Sequence, residues 1–422
     1  MTPDNHPGAT HPATTHPGAT HPTSINPVTI NPVTIHPVSG LPEIDEGTDL
    51  AAALLGAIAR PPIGGLAPGD VLVVSSKVLS KAAGLRASPA HDKAALVLEQ
   101  SHRVVAERAT PGGTTRVVEA LAGPVMAAAG IDASNTGARE SYLLLPADPD
   151  AAAARLLADL RRLGAPVRLG LLVSDTAGRP WRVGQTDFAL GAAGLAVLDD
   201  RRGQVDADGR PIAVTARAVA DELAAAADLV KGKAWQVPAA VLRDLPAEVT
   251  DPSPGAPDPC DPPRVNPVPG ARSLVRTGPG DWFALGHVEA VRAALGVAPG
   301  SPESEAVGLV PVHDEPAEAR LTRVARLATH AVPGATWALV EAAPPTDSPA
   351  DPPAEPTARQ SAIQVSADTP LDLGRLLARL EVAAWADHLH ALAEVAPDQH
   401  SARVALHPVP TTHSAQGSRV RP

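Results

Sequence analysis

The sequence predicts an α+β protein preceded by a largely disordered tail. Three observations carry that expectation. Short apolar runs of strand length recur, as in residues 71–75 (VLVVS) and 167–174 (VRLGLLVS), next to turn-forming residues. Longer stretches space their apolar residues at helical intervals: in 215–230, Val219, Leu223, Ala226, Ala227 and Val230 fall on one face. The glycine signatures of the common nucleotide-binding folds are missing. Nothing fits G-x-x-x-x-G-K-[ST], and Gly191 and Gly194 do not complete a G-x-G-x-x-G.

A chain of 422 residues has room for two domains. Only 2% of it is aromatic, so the core has to be assembled from many small contacts among Ala, Val and Leu. Forty-seven prolines and 34 glycines exceed what one compact fold accommodates, which assigns part of the chain to linker or tail. The net charge of −11 argues against nucleic acid as a partner, although local cations can still serve a small anionic ligand. Cys260 is the only cysteine, which excludes an internal disulfide and a thiolate zinc cluster. No apolar run is long enough to span a bilayer. The N-terminus lacks a basic segment followed by an apolar one, so a cytoplasmic location away from membranes is expected.

In chain order, residues 1–39 repeat with a period of five, a proline following each of His6, His11, His16, His21, Asn26, Asn31 and His36. Proline removes backbone donors and the small residues between bury little, so this is an extended tail. Globular patterning begins at Gly40, and a first domain is expected over 40–290. Within it 48–59 reads as a helix, 71–75 as a strand, and 89–108 as a helix with Leu96, Val104 and Val105 on its apolar face. Strands follow at 117–119 and 142–145, a helix at 150–163 ended by Gly164, and the strand 167–174. The helix 215–230 ends at the glycine cap Lys231-Gly232-Lys233, and 238–243 is a further strand. Residues 246–270 form a Pro/Asp-rich surface excursion.

A second, small α+β region is expected over 300–422. It holds helices at 315–330 and 371–392, strands at 337–340, 363–365 and 404–406, and a proline-rich linker at 344–356. On the helix 371–392, His388 and His390 would face different ways and could not chelate together.

The stretch 171–187, LLVSDTAGRPWRVGQTD, is the richest in chemistry. Asp175 and Thr176 follow a buried strand and offer hard oxygen ligands suited to Mg²⁺ or Mn²⁺ rather than zinc; taken alone, they read more readily as a polar turn. Ser75-Ser76-Lys77 and Ser80-Lys81 follow the strand 71–75, where hydroxyls and lysines would meet phosphate oxygens or simply begin a solvated helix. Asp132 and Asn135 lie after a run of small residues, which an Asx turn also explains. Lys231 and Lys233 would reach a nucleotide or merely complement a helix dipole. Together these residues outline a carboxylate–metal, lysine–phosphate site for phosphoryl transfer. The absence of H-E-x-x-H, G-x-S-x-G and Cys/His clusters excludes zinc and serine hydrolases.

The segments GLPEI (40–44), GDVLVVSSKVLSK (69–81), AAAGIDASNTG (127–137), VSDTAGRPWRVGQTDFALGAAGLAVL (173–198), AVADELAAAADLVKGK (218–233) and RTGPGDWF (276–283) resemble, in this order, the coenzyme F420 γ-glutamyl ligase family. The resemblance runs over roughly 40–286, and the block at 173–198 is its most specific part. It implies a γ-glutamyl-ligase-type mixed-sheet α+β fold, an intertwined homodimer, and GTP-dependent addition of L-glutamate to the deazaflavin coenzyme F420-0 through an acyl phosphate.

It also implies roles for individual residues. Leu41, Pro42, Glu43 and Ile44 match a segment that contacts GTP. Ser76 and Lys81 match phosphate-side contacts, Asn135 a further nucleotide contact, and Lys231, Gly232 and Lys233 a stretch that closes over the nucleotide. Asp132, Asp175 and Thr176 match the ligands of Mg²⁺ or Mn²⁺, with Asp132 and Asp175 carrying catalysis and K⁺ as a further candidate cation.

The chain departs from the family at Ala83, where an acid is common in S-K-x-E-G-R, at Leu85, and at Leu121 and Ala122, where a basic or histidine position precedes the glycine. These departures keep a non-catalytic nucleotide- or coenzyme-binding homologue open as the alternative. Region 300–422 is shorter than the flavin-binding reductase domain of some actinobacterial members and does not resemble it, so no flavin is expected.

Overall fold

A mixed five-stranded sheet organises the computed structural model, which describes residues 32–137, 140–232, 235–250, 269–341 and 361–409. The strand order is Thr34–Pro37, Ala239–Arg243, Val71–Ser75, Gly170–Arg179, Arg182–Ala193. Val71–Ser75 and Gly170–Arg179 run parallel, and every other pair in the sheet is antiparallel. Because side chains alternate across a strand, the apolar run VLVV feeds two cores. Leu72, Val74, Leu171, Val173 and Val241 pack on one face with the helices Leu50–Ile58 and Pro149–Arg162. Val71, Val73, Leu172, Ala240 and Leu242 pack on the other with the helix Val219–Asp228. The architecture is mixed α+β, as expected.

Gly191 sets the approach of the first layer. A Cβ there would stand 2.3 Å from the carbonyl oxygen of Pro149, at the start of the helix Pro149–Arg162. Only a residue without a side chain lets helix and sheet come this close.

Several elements differ from the sequence reading. Thr34–Pro37 is an edge strand paired with Ala239–Arg243, although it falls in the stretch assigned to the tail; proline is tolerated there because one side of the strand needs no donor. The helix expected over 89–108 is only Lys93–Glu99, and Ser101–Thr110 is a strand paired with Gly113–Ala120. A register shift between Val104 and Ala106 places both Val104 and Val105 in buried positions. That bulge breaks strict alternation, which is why the pattern imitated helical spacing.

The helix expected over 371–392 ends at Ala386, and Leu389–Val395 is a strand. His388 takes φ of 56° at the switch, so it does not share a helix with His390. The strand expected to stop at Ser174 continues to Arg179, which puts Asp175 and Thr176 inside a hairpin arm rather than in a turn.

The C-terminal region contains a four-stranded antiparallel sheet, ordered Thr336–Glu341, Ser361–Ser366, Ser401–Pro408, Leu389–Val395. The helices Ala317–Thr329 and Pro370–Ala386 cover it, with Leu321, Val324, Ile363, Leu376, Leu380 and Val404 in the core. Buried charges tie this region to the hairpin Ser101–Ala120. Arg116 bonds Glu107 at 3.2 Å and Glu305 at 2.8 Å, while Ser304 donates to Glu107 and Arg108 pairs with Glu289. Residues 1–31 of the expected tail, 251–268 of the expected excursion and the linker 344–356 lie outside the described residues. No described helix is long and apolar enough to cross a membrane.

Candidate functional site

At the end of the two parallel strands, a cavity of about 790 Å³ opens between five segments distant in sequence. Its floor comes from Ser75 and from Asp175, Thr176 and Ala177, where the paired strands Val71–Ser75 and Gly170–Arg179 leave the core. The helix Ser76–Ala82 projects Lys77 and Lys81, one turn apart, into the same space. The loop Leu41, Pro42, Glu43 and Ile44 closes one side, and the turn bearing Asp132 and Asn135 a second. Lys231 and Gly232, following the helix Val219–Asp228, close a third.

The turn at Asp132 is locked before any ligand arrives. Its backbone pairs with Leu143 in both directions, at 3.2 and 2.8 Å. The carboxylate accepts the Ser134 backbone N–H at 2.7 Å and the Lys77 ammonium at 2.5 Å. Asn135 then takes the left-handed conformation, φ 53°, which asparagine tolerates better than most residues. Burial would raise the Asp132 carboxyl, but the hydrogen bonds from Lys77 and Ser134 outweigh it and hold the group below its ordinary value.

Asp175 is the opposite case. Its Oδ1 accepts the Ser76 hydroxyl at 3.1 Å, its only side-chain donor among the described residues. Burial pushes its pKa up to about 6 against hydrogen bonds from Thr176 and Ser76, and the charges of Asp187 and Asp132 add to the rise. Ser76 itself is buried and does not line the cavity; it stands behind Asp175 instead.

Asp187 is a residue whose role sequence reasoning missed, although it ends the quoted block GQTD. Hairpin register sets it opposite Thr176. Its carboxylate accepts Thr176 Oγ1 at 2.7 Å, Ser174 Oγ at 2.8 Å and Lys231 Nζ at 2.5 Å. Lys231 also donates to Ser174 Oγ at 2.7 Å. The available signal was hairpin symmetry: a polar residue 11 positions beyond Thr176, across a turn made by Pro180 and Trp181. Lys81, likewise, is paired with Glu43 Oε1 at 2.6 Å, with Gly137 packed against that carboxylate.

The cavity therefore brings together Leu41, Pro42, Glu43, Ile44, Lys81, Asp132, Asn135, Asp175, Thr176, Lys231 and Gly232. Lys233 lies outside the described residues. The departures Ala83, Leu121 and Ala122 do not line it.

Chemically, the described lining carries six carboxylates (Glu43, Asp132, Glu140, Asp175, Asp187, Asp228) against three lysines. A polyanion entering such a space needs added positive charge. The donors are carboxylate and hydroxyl oxygens, the set preferred by Mg²⁺ or Mn²⁺. Among the described residues no three His, Cys, Asp or Glu side chains are grouped closely enough to hold a metal alone. A divalent ion here would complete its shell from water and ligand oxygens. The raised Asp175, facing two further carboxylates, fits such an ion.

Comparison with known proteins gives one consistent picture. A family model described as F420-0:Gamma-glutamyl ligase matches residues 40–244. A "Coenzyme F420:L-glutamate ligase" of Natronomonas pharaonis is 40% identical over 225 residues, covering 49% of this chain and 83% of that protein. Proteins of the same name from Halobacterium salinarum, 41% identical over 226 residues (49% and 85%), and Halorubrum lacusprofundi, 39% over 225 (49% and 84%), match similarly.

Proposed function

The chain belongs to the F420-0:gamma-glutamyl ligase family, and on that premise we propose that it joins L-glutamate by an amide bond to coenzyme F420-0, with GTP as phosphoryl donor. The observation that carries this reading is the elevated Asp175 carboxyl, sharing one cavity with Asp132, Asp187 and three lysines.

A carboxylate resists attack by an amine, so it must first become a better electrophile. In the proposed reaction an oxygen of the acceptor carboxylate bonds to the γ-phosphorus of GTP while the bond to GDP breaks. The glutamate amine then attacks the acyl carbon, the bond to phosphate breaks, and the amine loses a proton as the amide forms. Lys77 and Lys81, adjacent on one helix face, exchange Asp132 and Glu43 for phosphate oxygens and hold the polyanion in line. Asp187 keeps Lys231 and Thr176 oriented toward the cavity. Leu41, Pro42 and Ile44 give the nucleoside an apolar wall. Asp132, Asp175 and Thr176 would hold the divalent cation, which when bound draws charge from the phosphate oxygens. The proposed assembly is a homodimer.

Incubation of the protein with GTP, Mn²⁺, L-glutamate and F420-0 tests the reading. A glutamyl mass gain on the coenzyme, with matching GDP and phosphate, is the expected result. No gain, beside an active relative under the same conditions, overturns it. That the departures Ala83, Leu121 and Ala122 lie off the cavity lining supports the catalytic reading over a non-catalytic homologue.

A further inference from the structure

The hairpin that supplies Asp175 and Asp187 continues past the cavity and ends in exposed aromatic surface. Gly178 and Gln185 belong to the cavity rim; the next residues outward are Arg179 and Arg182, which pair across the tip, and Trp181 in the turn. Trp181 is 84% exposed and its ring meets Phe283 edge-on, centroids 5.2 Å apart at 66°. Phe283 is 56% exposed. Its loop is held in place, since Asp281 accepts both the Phe283 backbone N–H at 2.8 Å and the Arg103 guanidinium at 3.2 Å.

Two further features set this corner apart from ordinary surface. Trp181 has φ of 58°, a conformation bulky residues rarely adopt. Arg179 and Arg182 are exposed, and neither has an ion-pair partner among the described residues. Two indole and phenyl faces at an angle, beside two uncompensated guanidinium groups, match a planar heteroaromatic ligand that carries anionic groups.

We infer that Trp181 and Phe283, with Arg179 and Arg182, form a docking platform for the tricyclic ring of the acceptor coenzyme. The platform would direct the coenzyme's anionic arm along the hairpin toward the cavity. At about 3.4 Å per residue, with one strand residue and a tight turn beyond Gly178, the tip stands roughly 5 Å past the rim, so the platform would hold the ring outside while the carboxylate arm enters. This rests on the proposed reaction for the identity of the ligand, and its test is kept independent of turnover.

Equilibrium titration of full-length protein with F420-0, read by coenzyme fluorescence without GTP or glutamate, measures the platform alone. Trp181→Ala should weaken binding by about tenfold or more, the usual scale for losing one stacked ring; Trp181→Phe should retain most of it, and Arg179→Ala should weaken it in a salt-dependent way. GTP affinity should be the same in all variants. If the wild-type protein binds F420-0 but does not ligate, and Trp181→Ala loses binding, the platform stands while the proposed reaction falls. Unchanged coenzyme affinity in Trp181→Ala overturns the platform. So does a change confined to oligomeric state by light scattering, which would assign the corner to a second copy of the chain.

Discussion

Lys231 and Asp187, 44 residues apart in sequence, form a buried ion pair at 2.5 Å beneath the cavity. The same carboxylate holds Ser174 and Thr176, so one acid orients a lysine and two hydroxyls at once. Such a cluster keeps its geometry without a ligand, because every buried member has a partner.

Replacing that acid should therefore disturb structure and chemistry together. Asp187→Asn leaves the Lys231 ammonium buried against a neutral amide, at a cost of about 3 kcal/mol. Thermal unfolding should show the loss, and kcat should fall while the affinity for glutamate changes less. Wild-type stability and kcat in this variant would remove Asp187 from the account.

Asp175→Asn should separate activity from stability. Ligation should be lost, because a proposed metal ligand loses its charge, but folding should not suffer. The folded protein keeps the Asp175 proton up to about pH 6, whereas an aspartate ordinarily loses it at 3.8. In metal-free protein this group therefore lowers stability as pH rises through the interval between those values, and the penalty is complete above about 6. Its size is on the order of 2 kcal/mol after discounting for the cavity's access to solvent. Urea unfolding should show Asp175→Asn gaining on wild type at pH 7.5 and not at pH 4; a gain of equal size at both would contradict the assignment.

Metal removal should act first on nucleotide affinity. With six carboxylates facing three lysines, GTP has too little fixed positive charge to meet. Calorimetric titration in EDTA should show GTP binding weakened by at least about tenfold, restored by Mn²⁺ or Mg²⁺. Equal affinity with and without divalent ions would mean that the lysines suffice.

Gly191→Ala probes the frame rather than the site. The new Cβ would lie 2.3 Å from the Pro149 carbonyl oxygen, so helix and sheet must separate. A loss of about 1–3 kcal/mol is expected, measured by denaturant unfolding. The native strand spacing could not then be correct if the variant proved as stable as wild type.

The parts of the fold legible in the sequence were those governed by local pattern. The strand 71–75 is read with its true ends because both of its faces are buried and VLVV is apolar throughout. The helix at 215–230 is present in its central part, Val219–Asp228, because one apolar stripe suffices to mark it. Misreadings arose where tertiary pairing overrides local spacing: Val104 and Val105 sit side by side across a bulge, and Leu389–Val395 is claimed by its partner Ser401–Pro408. In the site, Asp132, Asp175, Thr176 and Lys81 were marked by residue type beside a strand end or turn. Asp187 was not, since nothing near it in the chain reveals the hydroxyls and the lysine it would hold.

By itself, the sequence determined which residue types stand at the ends of its buried strands and, through them, the kinship of residues 40–244. Only the tertiary structure decided which opposite charges meet: Lys77 with Asp132, Lys81 with Glu43, Lys231 with Asp187. Those pairings depend on strand register and on the packing of a helix over a sheet, which bring side chains from remote positions within 3 Å. Among the described residues Asp175 has no lysine ion pair, for the same reason.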